Sequence, residues 1–241
     1  DWIRGAETKL DRKNIEKAVE DSLKRLQTDY IDLYQIHWPD RPINIFGGGL
    51  GYKHFEAETV AISETLEVFK DLVKSGKIRY VGLSNETPWG LSEFLKFSEL
   101  NNLPKIVSVQ NAYNLLNRTY EQGLSEFFYR SSVGLLAYSP LAGGFLTGKY
   151  RNNNLPENSR QKLFGDYYTR YSKPNSSIVI EEYFKIAKKF NLDFAQMSLK
   201  FCEIQPFMTS VIIGATTMEQ LKINIESVNV NLSDEIIKDI N

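Results

Sequence analysis

The chain has 241 residues, 42% hydrophobic and 24% charged, with 29 Lys and Arg against 30 Asp and Glu and a formal net charge of −1. A chain of this length can bury a large core, so one domain over residues 1–241 is expected. The balanced charge excludes the basic excess that drives nucleic-acid or anionic-membrane binding, which leaves room only for a local anion site.

Residues 1–5 carry charges and lack the apolar centre of a signal peptide. No apolar run approaches the roughly 20 residues of a membrane helix, so no membrane insertion and a cytoplasmic location are the default expectations. The sequence starts without Met in the middle of a pattern and reads as a fragment. Asp11 suits the N-cap of a helix running to residue 26, because Ile15, Val19, Leu23 and Leu26 recur at helical spacing. Basic residues on this helix are interleaved with acids and form a solvated face.

A strand follows at 30–36, rich in β-formers and ended by Trp38 and Pro39. The same order of helix, strand and polar loop then recurs: helix 60–75 before strand 78–83, helix 89–101 before strand 106–109, helix 118–130 before strand 134–137, and a helix pair over 177–205 before strand 210–213. Cys202, the lone cysteine, lies in the last helical stretch and reads as core; no internal disulfide can form. Such alternation predicts a parallel sheet, because parallel strands need crossover connections.

Each strand is followed by residues with chemical use: His37, Ser84-Asn85, Gln110-Asn111, Tyr138-Ser139-Pro140 and Gly214-Ala215-Thr216-Thr217. In a (β/α)8 barrel the C-terminal strand ends carry the active site, whereas a doubly wound sheet binds ligands only at its switch point. The expected fold is therefore α/β, a (β/α)8 TIM barrel with strands 4 to 8 represented and strands 1 to 3 missing. Polar loops 39–59 and 143–176 would lie over the same rim, as a lid or clamp.

His37 is one of two histidines; a neutral imidazole there can orient a carbonyl, or it can be a hydrogen-bonded structural group. The stretch GATTMEQLKIN at 214–224 combines a glycine, two hydroxyls and a helix start, which suits a phosphate but also an ordinary capped helix. Tyr138, beside a small-residue loop, can stack on a planar ring or pack in the core. Ser84, Asn85 and Gln110 are uncharged groups able to bind a carboxamide or simply to hold loops. Neither a GxGxxG nor a GxxxxGK[ST] motif occurs, and a G-x-S-x-G turn is absent too. No metal site is expected, since His37, His54 and Cys202 are too few for a zinc set. Trp38, Phe46, Tyr52 and Phe55 are candidates to line an apolar substrate pocket.

The ordered motifs YIDLYQIHWPD, IRYVGLSNET, SVQNAYNLL, LLAYSPLAGGFLTGKY and IIGATTMEQLKIN span the chain. In these the sequence resembles the aldo-keto reductase family, in its bacterial Tas-like branch and more distantly in the β subunits of voltage-gated potassium channels. The resemblance implies a (β/α)8 barrel that uses NADPH to reduce aldehydes or ketones, with a small-molecule carbonyl compound as partner and an oligomer allowed. It implies that His37 orients the substrate carbonyl, that Ser84, Asn85 and Gln110 hold the nicotinamide carboxamide, and that Tyr138 stacks on the ring. Ser139, Pro140, Leu141, Gly143 and Lys149 match the loop crossing the pyrophosphate. Gly214, Thr216, Gln220 and Asn224 match the segment at the adenosine end and its 2′-phosphate, with Arg160 as a further cation for that phosphate. The family's catalytic Tyr, Lys and Asp belong to the first three βα units, which are expected to be missing, so His37 alone of that set carries over. The alternative is a catalytically silent NADP-binding regulatory module, of the kind the channel β subunits suggest.

Overall fold

Asp11 caps the first helix: its carboxylate accepts the Asn14 N–H at 2.9 Å, and α1 spans Arg12–Leu26. A computed structural model of the chain describes residues 8–44, 56–165 and 169–241. Two compact units are distinguished, one of Asp1–Gln110 with Phe127–Gly134, the other of Asn111–Glu126 with Leu135–Asn241.

In the first unit, β1 (Ile31–Ile36), β2 (Ile78–Ser84) and β3 (Ile106–Ala112, as far as Gln110) are paired in parallel. Helices α2 (Ile62–Lys74) and α3 (Pro88–Leu100) make the crossovers that parallel pairing demands, and α1 leads into β1. Their apolar stripes supply Ile15, Val19 and Leu23, then Leu66, Phe69 and Leu72, then Leu91 and Phe94, all buried with Val81, Leu83 and Val109. Burying each such side chain contributes roughly 1.5–3 kcal/mol. Period-two alternation puts Gly82 and Ser84 on the opposite sheet face. There a Cβ on Gly82 would lie 2.8 Å from Ser108 Oγ and 3.2 Å from Gln35 Cγ, so any larger residue would force these neighbouring side chains to shift.

Helix α4 (Glu126–Ser131) is the remnant of the helix expected over 118–130. Thr119–Gln122 instead forms a 3₁₀ turn that ends at Gly123, because the N–H groups of Leu124 and Ser125 both turn back to Tyr120 O, whose side chain is buried.

In the second unit, β4 (Gly134–Tyr138, from Leu135 on) pairs in parallel with β5 (Met208–Val211). The last strand was expected at 210–213. It starts earlier because its ladder follows β4: Leu135 N–H donates to Phe207 O at 2.9 Å and Ile212 N–H to Ala137 O at 2.8 Å. The loop after β4 is not featureless; it holds 3₁₀ turns at Ala142–Thr147, Arg151–Asn153 and Thr169–Tyr171, and α5 (Arg160–Phe164). The remaining helices are α6 (Ser176–Lys189), α7 (Phe194–Glu203), α8 (Met218–Glu226) and α9 (Asp234–Ile240). Fully buried Tyr113 anchors this core, parallel to Phe201 and edge-on to Phe207. Its hydroxyl donates to Glu121 at 2.5 Å, and Arg118 joins that carboxylate to Asn241 at the chain end. Among the described residues no helix is long and apolar enough to cross a membrane.

Candidate functional site

In the first unit the strand ends are tied to one another. Ser84, the last residue of β2, donates from Oγ to Gln110 O at 2.8 Å, and the Asn85 N–H donates to the same carbonyl at 3.0 Å. Asn85 Nδ2 donates to His37 O at 2.8 Å and to Ser84 Oγ at 3.2 Å. The Ser84 hydroxyl and the Asn85 side-chain amide thus adjoin the residue that follows β1, and Gln110 joins them through its main-chain carbonyl. Gln110 and Asn111 were expected to follow the third strand, but they lie inside β3, which pairing of Ser84 with Gln110 extends. Asn85 sits at φ 55°, a left-handed conformation that asparagine tolerates better than most residues. The His37 ring lies 4.5 Å from that of Trp38. Although His37 is largely exposed, the atoms around it remove enough water to lower its imidazole pKa below the ordinary 6.5, favouring the neutral form.

In the second unit Tyr138 closes β4, and its half-buried ring accepts a hydrogen bond at Oη from Arg170 Nη1 at 3.1 Å. Ser139 is left-handed at φ 54°, and its carbonyl accepts from Asn114 Nδ2 at 2.8 Å; Asn114 also reaches Tyr171 Oη at 3.0 Å. Pro140 is buried and Leu141 partly so. Gly143 and Gly144 follow at φ 67° and 100°, backbone that only glycine adopts readily. A Cβ on Gly143 would lie 4.0 Å from Arg160 Cδ, and one on Gly144 would lie 2.7 Å from Lys149 Cε. The Lys149 and Arg160 side chains therefore pack beside the double glycine. Such a turn with cations beside it is a favourable place for an anion.

The 214–224 segment is self-bonded. Thr217 caps α8 by accepting from Gln220 N–H at 3.2 Å, Gln220 Oε1 accepts from Thr216 N–H at 2.9 Å, and buried Asn224 donates to Gly214 O at 3.2 Å. Among the described residues nothing lies within 4 Å of a Cβ placed on Gly214, so against them this glycine relieves no clash.

Arg170 and Asn114 were given no role by sequence reasoning, although Asn114 lies inside SVQNAYNLL; neither shows a local signal for its long-range partner. Phe46, Tyr52 and Phe55, the expected pocket aromatics, and His54 lie outside the described residues. Among the described residues no cluster of three or more His, Cys, Asp or Glu is placed to hold a metal ion.

Parallel strands joined by helical crossovers define an α/β protein. The Aldo/keto reductase family matches residues 1–241, and the chain belongs to that family. It is 49% identical over 232 residues to Protein tas of Escherichia coli (strain K12), covering 96% of this chain and 66% of that protein. With the Aldo-keto reductase of Babesia bovis it shares 37% identity over 254 residues, 100% of this chain and 89% of the relative. The L-glyceraldehyde 3-phosphate reductase of Escherichia coli (strain K12) is 30% identical over 226 residues, 90% of this chain and 59% of the relative. The chain spans somewhat under two thirds of the length of Protein tas, at 66%, and 59% of that reductase.

Proposed function

We propose that the protein is an NADPH-dependent oxidoreductase that reduces aldehydes or ketones to alcohols, with residues 1–241 belonging to one (β/α)8 barrel domain and a cytoplasmic location. The observation that carries this reading is the hydrogen-bonded set Ser84, Asn85 and Gln110 beside His37. A hydroxyl and side-chain amides are the donor and acceptor types with which a carboxamide pairs. When bound, the cofactor supplies the hydride. On this reading Tyr138 stacks on its ring, Ser139, Pro140, Leu141, Gly143 and Lys149 hold its pyrophosphate, and Arg160, Gly214, Thr216, Gln220 and Asn224 hold its adenosine end. The fit is supported by Lys149 and Arg160 against the double glycine, which offer the positive charge a phosphate needs.

On this reading His37, neutral because its pKa is lowered, donates to the substrate carbonyl and orients it, while Trp38 lines the substrate side. A small carbonyl substrate agrees with a relative named L-glyceraldehyde 3-phosphate reductase.

Fluorescence titration tests the cofactor: NADPH should bind at least about tenfold more tightly than NADH, the weight of one charge-assisted contact. Equal affinities would sink the assignment of the 2′-phosphate. With a reactive aldehyde such as 4-nitrobenzaldehyde, His37→Ala should lose turnover while keeping NADPH affinity, and unchanged turnover would remove His37 from the reaction.

A further inference from the structure

Glu86 is the residue after Asn85, and its carboxylate is almost wholly buried, at 2% side-chain exposure. It accepts a forked pair from Arg41, with Nη1 3.3 Å from Oε2 and Nη2 in closer contact with Oε1. The Thr87 N–H donates to Oε1 at 2.6 Å. Arg41 also donates to Thr87 Oγ1 at 3.0 Å and lies 4.9 Å over the Trp89 ring. A buried carboxylate so fully met by donors holds its neighbours in one arrangement, because every alternative strands a charge out of water.

Gly90 shows that the pair is built into the helix that follows. It occupies the first turn of α3, where glycine weakens a helix relative to alanine. A Cβ there would overlap Glu86 Oε1 and Arg41 Nη2, so the missing methyl makes room for the ion pair.

Arg41 stands four residues past His37 on the same stretch of chain, and Glu86 one residue past Asn85. Two cross-links therefore join the segment after β1 to the segment after β2: Asn85 Nδ2 to His37 O, and Arg41 to Glu86. Between them, Asp40 is pinned by the N–H groups of Leu10 and Val60 at 2.9 and 2.6 Å. We infer that Glu86, clamped by Arg41 in the space left by Gly90, is a positioning residue that sets the left-handed Asn85 and, through its amide, the main chain of His37. The inference rests on the functional reading of Asn85 and His37 given above.

Glu86→Gln is the informative variant, since the uncharged isostere leaves Arg41 close enough to the surface to rehydrate. Its NADPH affinity should fall about tenfold, the scale of a lost hydrogen bond to an amide, while affinity for adenosine 2′,5′-bisphosphate, which lacks the nicotinamide, stays unchanged. In the ligand-free protein the side-chain amide resonances of Asn85 and the ring resonances of His37 should shift. Gly90→Ala should act in the same direction even though alanine is the better helix former. Unaltered Asn85 and His37 resonances in both variants would overturn the inference, as would equal losses for NADPH and the bisphosphate accompanied by a lower melting temperature, which mark a general structural role. If the wild-type protein binds neither ligand, the cofactor reading fails, and the resonances of Asn85 and His37 still decide whether Glu86 positions them.

Discussion

Asn85 and Ser139 each occupy the left-handed region one residue beyond a strand, β2 and β4 respectively. Such backbone costs on the order of 1–3 kcal/mol and persists where its surroundings over-determine it, a habit of ligand sites. Both are held by long-range partners, Asn85 at Gln110 and His37, Ser139 at Asn114. His37 adds a pH dependence. Partial desolvation by surrounding atoms lowers its pKa below 6.5 in the folded chain, so on acidification the unfolded chain takes up this proton first. The stability contributed by the neutral imidazole is full above pH 6.5 and declines as pH falls from there toward the folded value. Urea denaturation at about pH 7.5 and about pH 5.5 should show the loss, and His37→Gln should reduce it. An equal loss in wild type and variant would show that His37 titrates alike in both states.

Elements whose boundaries depend on local chemistry were legible. The α1 cap is an example: Asp11 accepts the Asn14 N–H, as the apolar spacing that begins at Ile15 predicts. Asp11→Ala should cost about 1 kcal/mol, read as a lower urea midpoint at an unchanged m-value. An unshifted midpoint would mean that packing of Ile15, Val19 and Leu23 alone holds this end. Elements whose boundaries depend on a neighbour were not legible. The apolar run Val211-Ile212-Ile213 suggests a strand at 210–213, yet β5 runs from Met208 to Val211 because β4 sets its ladder. Likewise β3 continues through Gln110 because Ser84 pairs with it.

For the molecule as a whole, charge contributes little and burial much. Many ion pairs, such as Arg12–Glu16 and Lys185–Glu182, join exposed side chains, a class that solvent screening leaves weak. The buried Arg41–Glu86 pair stands apart from these. Cys202, the one cysteine, is 0% exposed in the α7 core, and burial raises its thiol pKa. Folded protein should therefore resist a disulfide reagent such as DTNB, and the thiol should react only as fast as its surroundings unfold. Rapid stoichiometric labelling under native conditions would contradict this burial.

The sequence by itself determined the order of helices and strands, the parallel class of their pairing and the family, because hydrophobic period, caps and motifs are written in neighbouring residues. Tertiary structure decided which side chains meet. Arg41 finds Glu86 45 positions away, Asn85 finds His37 48 positions away and Arg170 finds Tyr138 32 positions away. No local pattern encodes such pairings, since they depend on where the chain returns after each crossover. The amides at the strand ends were readable as candidates from their types; the ion pair beneath them, and the glycine that makes room for it, became visible only once the strands stood side by side.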